Sequence, residues 1–320
     1  MEIPQVQAIN KACWRAVQDR FDQLIKPVGS LARIEEITCL YAAAQDLSDI
    51  TLPDNALLLA FGGCGAERDA GAESAYEFFA GYDALNGLAD ILGAVIIPIR
   101  PAEDLGKAEG TPLSGAAMSR EAFAAAFRRG QDAARMAAAR GVRVVGLGCR
   151  YGQKSAVRQS ALCRLMLAAE MEERFPKEER ILLDEILGQH AHLDKNDSIG
   201  LMRAVGGFEL PALLGAILQA ANQGMPVFLD GTATLIAALA AVKLRPAVKD
   251  YLIAVSTTTE PWQSILLTQL ELSTMLDLKL QTPSGEGALF GFNLLAAGIK
   301  ALNEMDSFGK VHSPLGDLSK

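Results

Sequence analysis

Five short apolar runs constrain the fold of this chain more than any other feature. They cover residues 56–61, 94–99, 142–147, 226–230 and 251–256. Uniformly apolar runs of this length, bounded by turn residues, fit strands buried on both faces of a parallel sheet. Four of them end in small or turn-forming residues: Gly62-Gly63-Cys64-Gly65, Gly148-Cys149-Arg150-Tyr151-Gly152, Gly231-Thr232 and Thr257-Thr258-Thr259. Long helical patterns lie between the runs, at 119–139, 209–222 and 234–243. The first opens on Ser119 as N-cap and stops at Gly141. Strands alternating with helices give an α/β fold, a doubly wound parallel sheet of Rossmann-like type. Such sheets bind ligands at the carboxyl ends of their strands, so the glycine-rich exits are where a pocket is expected.

Composition excludes several function classes. The 320 residues are 50% hydrophobic and carry a net charge of −8, which leaves no basic stripe for nucleic acid. The five cysteines, Cys13, Cys39, Cys64, Cys149 and Cys163, form no C-x-x-C pair and are odd in number. They read as free thiols in a reducing compartment, with neither a disulfide framework nor a metal site. The first twenty residues lack an apolar signal core, and the run around 235–242 is too short to span a bilayer. A cytoplasmic protein with no membrane contact is expected. Residues 1–47 and 290–320 read as helical and pair into a small subdomain, leaving 48–289 as the parallel α/β domain. RFPKEER, residues 174–180, reads as an exposed charged loop.

Several local motifs carry two readings each. Lys26-Pro27-Val28-Gly29-Ser30-Leu31 is a turn feeding a helix with Ser30 as N-cap; with the lysine it either holds a phosphate or is structural. Asp230-Gly231-Thr232 ends a strand and opens a helix, so the aspartate holds ribose hydroxyls or caps that helix. Gly206-Gly207-Phe208-Glu209 either presents N–H groups to an anion or is a plain turn. His190 and His192 are spaced for different helix faces and read as surface or loop residues rather than a metal pair. The Cys64 thiol at a strand exit reads as buried and inert. No Walker A loop or G-x-G-x-x-G fingerprint occurs, and no cofactor is expected. Within LKLQTPSGEGALFGF, residues 278–292, Glu286 sits between two glycines and is either a general base or a turn residue.

A family resemblance rests on IKPVGSLARIEE (25–36), GTPLSGAAMSRE (110–121), RGVRVVGLG (140–148), VGGFELPALLGAILQAANQGMPVFLDG (205–231) and LNEMDSF (302–308). In order and spacing these resemble the nicotinate-nucleotide:dimethylbenzimidazole phosphoribosyltransferases over nearly the whole chain. The resemblance implies transfer of phosphoribose from nicotinate mononucleotide to an aromatic base, the activation of a cobamide (vitamin B12-type) lower ligand. It implies an anion site for the 5′-phosphate, a polar ribose lining and a glutamate base in a Gly-Glu-Gly turn.

The chain departs from that pattern where the family touches substrate. Without a gap, Ser284 falls at the family glutamate position; Glu286 reaches it only with a two-residue insertion. Gly63-Cys64-Gly65 stands for an Asp-His-Gly exit, and Cys149 for a pocket glutamate. Glu179 stands near a phosphate-contacting lysine. Ser74, Gly206, Gly207 and Asp230 are the remaining substrate-side candidates. Loss of one such polar group costs about 10²–10³ in rate, so the pattern implies a subunit with no catalytic residue of its own. Its expected partner is a catalytic paralogue in a heterodimer, or a second copy in a homodimer. The dimer would handle nicotinate mononucleotide and a phenol or benzimidazole. The alternatives are an active transferase with Glu286 as base, and a protein that binds a nucleotide or aromatic ligand without turnover.

Overall fold

The computed structural model describes residues 1–62, 78, 80, 81, 83–100, 111–113, 115–150, 154–171, 175–281 and 283–311. The expected sheet is present. Its strands are β1 (Asp54–Phe61), β2 (Val95–Ile99), β3 (Val142–Arg150), β4 (Val227–Leu229) and β5 (Leu252–Ala254), all parallel, in the order β2-β1-β3-β4-β5. The fifth apolar run does not form one strand. At Val255, whose N–H bonds Leu229 O and whose carbonyl accepts from Met275 and Leu276, the chain leaves the sheet. It continues as β6 (Ser256–Thr258), which pairs in parallel with β7 (Leu276–Leu280).

Helices cover both faces. Side chains of consecutive strand residues alternate between two cores, as a pleated strand requires. Leu58, Ala60, Val145, Leu147, Val227 and Leu229 face one core. It is closed by α4 (Arg120–Ala139), α5 (Ser155–Leu167), α6 (Lys177–His190), α7 (Ser198–Val205), α8 (Glu209–Asn222), α9 (Thr232–Leu244) and α10 (Gln263–Leu270). Leu57, Leu59, Val144, Phe228 and Ile253 face the other, closed by α1 (Lys11–Asp22), α2 (Arg33–Gln45), α3 (Ala84–Leu92) and α11 (Glu286–Glu304). A last short helix, α12 (Phe308–Val311), follows. On this second face Phe292 of α11 meets Phe228 edge to face, with ring centroids 5.4 Å apart. Between the terminal segments, Arg20 donates to Asn303 at 3.1 Å and Leu24 bridges Ser307. They share their core with the underside of the sheet, and α11 runs unbroken through position 290.

Three local expectations are corrected. Ser30 does not cap the second helix: that helix starts at Arg33, after Ala32 at φ 45°, and Glu35 reaches back to accept the Leu31 N–H at 3.0 Å. The RFPKEER segment is helix from Lys177 onward, because Pro176 and two acidic residues favour a helix start there. His190, the last residue of α6, is buried rather than exposed, with Nε2 2.7 Å from Pro112 O. His192 is exposed.

Helices α4 and α8 pack backbone against backbone. A Cβ at Gly215 would lie 2.0 Å from Phe127 O, and one at Gly130 1.8 Å from Ala212 O. The two backbones touch because both helices carry glycine there. Gly215→Ala should therefore lower the unfolding free energy by about 1–3 kcal/mol through forced separation of the helices. Urea denaturation measures this, and an unchanged midpoint would contradict the contact.

Candidate active site

The carboxyl ends of β1, β3 and β4 converge on one turn, Pro283-Ser284-Gly285, at the start of α11. Gly148 of β3 makes room for it: a Cβ there would fall 1.9 Å from Ser284 O. Gly285 has φ +130°, and any side chain on it would meet Leu57 at 2.7 Å. The turn is tied to the sheet by Asp230, at the end of β4. One of its carboxylate oxygens, Oδ2, accepts the N–H of Gly285 at 3.0 Å and of Gly287 at 2.9 Å. The other, Oδ1, has no hydrogen-bond partner among the described residues, although Asp230 is only 2% exposed.

Asp230 therefore does not cap α9, one of its two expected roles. That task falls to Glu260, whose Oε2 accepts the Thr232 N–H at 2.6 Å. Glu286 is the first residue of α11 and bends back on its own turn, its Oε2 accepting the Ser284 N–H at 2.6 Å. Glu209, fully buried, places its carboxylate between Gly62 at the β1 exit and Gly207. An added Cβ at either glycine would lie 2.1 or 2.2 Å from Glu209 Oε2.

Four carboxylates thus gather where an anionic substrate was expected. Burial pushes the Asp230 carboxyl up to about 7, with Glu286 and Glu260 adding to the rise against the two backbone N–H groups. Burial likewise holds the Cys149 thiol well above its usual range, helped by Glu209 and Glu260. Cys149 is consequently a neutral thiol and no nucleophile at neutral pH.

The other sequence candidates fall as follows. Gly206 and Gly207 do not form an anion cradle, because the Gly206 N–H is bonded to Met202 O at 2.8 Å and Glu209 occupies the space beside Gly207. Lys26 is not available to a phosphate. It pairs with Glu35 at 2.8 Å, both side chains nearly buried. Burial raises the Glu35 carboxyl, but Lys26, the Leu31 N–H and Gln18 together hold it below its usual range. Glu179 lies in the first turn of α6, half-buried. Ser284 is on the central turn beside Glu286. Gly63, Cys64 and Ser74 lie outside the described residues. Arg150, the last residue of β3, pairs with Asp83 at 2.7 Å. Among the described residues no group of three or more His, Cys, Asp or Glu side chains is placed to hold a metal ion, and no helix is long and apolar enough to cross a membrane. Sequence reading did not single out the Glu209 or Glu260 side chain. Glu209 follows Gly-Gly-Phe and Glu260 follows Thr-Thr-Thr, and these polar or small-residue stretches were the available signal.

The sheet, its order and the turn over β3 belong to a recognisable class. A family model described as phosphoribosyltransferase matches residues 6–312. The chain is 26% identical to the nicotinate-nucleotide–dimethylbenzimidazole phosphoribosyltransferase of Ruminiclostridium cellulolyticum, over 96% of this chain and 95% of that protein. It is 29% identical to the protein of the same name from Desulforudis audaxviator, with the same coverage. A crystal structure of the Thermus thermophilus protein of that name shares the fold, with a TM-score of 0.84 at 24% identity, covering 96% of this chain and 100% of that one. The chain belongs to the nicotinate-nucleotide:dimethylbenzimidazole phosphoribosyltransferase family.

The elevated Asp230 carboxyl has a pH signature. Its folded value near 7 lies above the usual value of 3.8, so the folded chain binds the extra proton. Its contribution to stability is complete below about pH 4 and is lost as pH rises to about 7. Between pH 5 and 7 this amounts to about 2 kcal/mol, from 1.36 kcal/mol per unit. Asp230→Asn should flatten that part of the pH–stability curve measured by denaturant unfolding. Parallel curves for the two proteins would contradict the assignment.

Proposed function

We propose that this chain serves in phosphoribosyl transfer from nicotinate mononucleotide to an aromatic base or phenol, the activation of a cobamide lower ligand. Its role is to support a catalytic paralogous subunit in a dimer. The relatives' names supply the reaction class. In that reaction the C1′–nitrogen bond to nicotinate breaks, a bond from C1′ to the acceptor forms, and a carboxylate takes the acceptor's proton.

The observation that carries the supporting role is the engagement of the carboxylates at the turn. Glu286 closes on the Ser284 N–H at 2.6 Å, and Asp230 commits one oxygen to Gly285 and Gly287. Both hold the turn in place. Negative charge from Glu209, Glu260 and Glu286 also meets the substrate phosphate unfavourably. A chain with this site keeps the fold of a transferase and gives up the means to run it.

A second reading keeps Glu286 as the base of an active enzyme. It is favoured by the place of that residue, half-buried on the substrate-side turn beside Asp230.

Co-expression with a family member that carries the catalytic glutamate, followed by assay of acceptor-dependent nicotinate release, separates the two. On the supporting reading, Glu286→Gln in this chain changes turnover of the pair by less than about threefold. Loss of a true general base costs about 10²–10⁴. A drop of that size on Glu286→Gln would establish the second reading instead.

A further inference from the structure

We infer that a groove on the α4–α8 face, towards the amino end of the sheet, binds a small zwitterion of the amino-acid type. The groove is about 710 Å³ and lies between α4, the end of α8 and residues 1–5. Small-molecule sites run to about 300–1,000 Å³, so one such ligand has room. The lining includes Glu2, Arg128, Gln131, Asp132, Arg135 and Gln219. Helices α4 and α8 lead into the starts of β3 and β4, so the groove lies away from the Asp230 turn at the strands' carboxyl ends.

Side chains strap the first residues across the two helices. Gln131 Nε2 donates to Glu2 O at 3.3 Å, Asn222 Nδ2 to Gln5 O at 2.5 Å and Arg245 Nε to Pro4 O at 3.1 Å. A backbone carbonyl only accepts, so these contacts fix which way the Gln131 and Asn222 amides face. Asn222 Oδ1 is then left to accept from Gln219 Nε2 at 3.3 Å. The amide oxygens of Gln131 and Gln219 accept nothing among the described residues. The two residues are only 4% and 5% exposed, yet neither oxygen is sealed from solvent. The groove thus offers two fixed, unpaired acceptors on a packed wall.

The charge of the wall sets the ligand class. Two guanidinium groups and two carboxylates line it, so it carries no net charge. Arg135 and Asp132 pair with each other at 2.8 Å. Arg128, on the same face of α4, has no partner among the described residues, and Glu2 stands on the strap with only its backbone carbonyl engaged. A carboxylate suits Arg128 through a charge-assisted hydrogen bond. An ammonium group, with three donors and no acceptor, suits the Gln131 and Gln219 oxygens and the Glu2 carboxylate. A bare anion would leave those acceptors unused, and a bare cation would leave Arg128 unused. The rest of the wall is mostly polar, with Gln5 and Asn222 on it, which favours a polar, uncharged side chain on the ligand. Binding here is independent of whether the chain catalyses transfer, and its test involves no transfer.

Titration calorimetry of the full chain with L-glutamine, N-acetyl-L-glutamine and L-glutaminamide tests it. L-glutamine should bind saturably. N-acetyl-L-glutamine lacks the ammonium group and L-glutaminamide lacks the carboxylate, and each should bind at least tenfold more weakly. Arg128→Gln and Glu2→Gln should each weaken L-glutamine at least tenfold. Both residues are exposed, so the melting temperature of the free chain should stay unchanged in either variant. No saturable binding of L-glutamine, equal binding of either capped probe, or unchanged affinity in Arg128→Gln would each overturn the proposal.

Discussion

The site depends on one buried carboxylate. Asp230 ends β4 and accepts two backbone N–H groups from the first turn of α11, so it joins the middle of the sheet to the helix that covers its far face. Those N–H groups have no partner within their own helix and would otherwise be orphaned under the sheet. Everything on the turn, including Ser284 and Glu286, takes its position from that link. Burial makes the same link sensitive to protonation, because the charged form has to give up its hydration.

The neighbourhood of this link is acidic. Glu209 fills the β1 exit, Glu260 caps α9 and Glu286 closes its own turn. Three of the four carboxylates are bonded to backbone N–H groups, which is structural work. The cation at the end of β3 is committed as well, Arg150 to Asp83. A phosphate entering here meets negative charge already in place.

The sheet was legible because a short, uniformly apolar run between turn residues fits little besides a buried strand. Ser119 as N-cap was legible because its hydroxyl acts locally, on Ala122 N–H at 3.0 Å. The break at Val255 was not, since Val-Ser-Thr is continuous in strand preference and the departure is caused by β7, pairing from about twenty residues away. Asp230 was legible as a strand-end residue with a role, but its partners stand 55 and 57 residues on. Ser30 misled for the opposite reason. It has the chemistry of a cap, but Glu35 performs the reach-back and Ala32 carries the turn at positive φ. His190 was misplaced because its burial comes from Pro112, a contact no spacing reveals.

On the proposed reading Asp230 and Glu286 hold the turn at the sheet's exit and serve no reaction. Single-turnover chemistry tests this most directly: the chain alone, in excess over nicotinate mononucleotide and an aromatic acceptor, quenched over time. Nicotinate is expected to appear no faster than without protein. Rapid release of one equivalent, abolished when Glu286 is changed to glutamine, would contradict it.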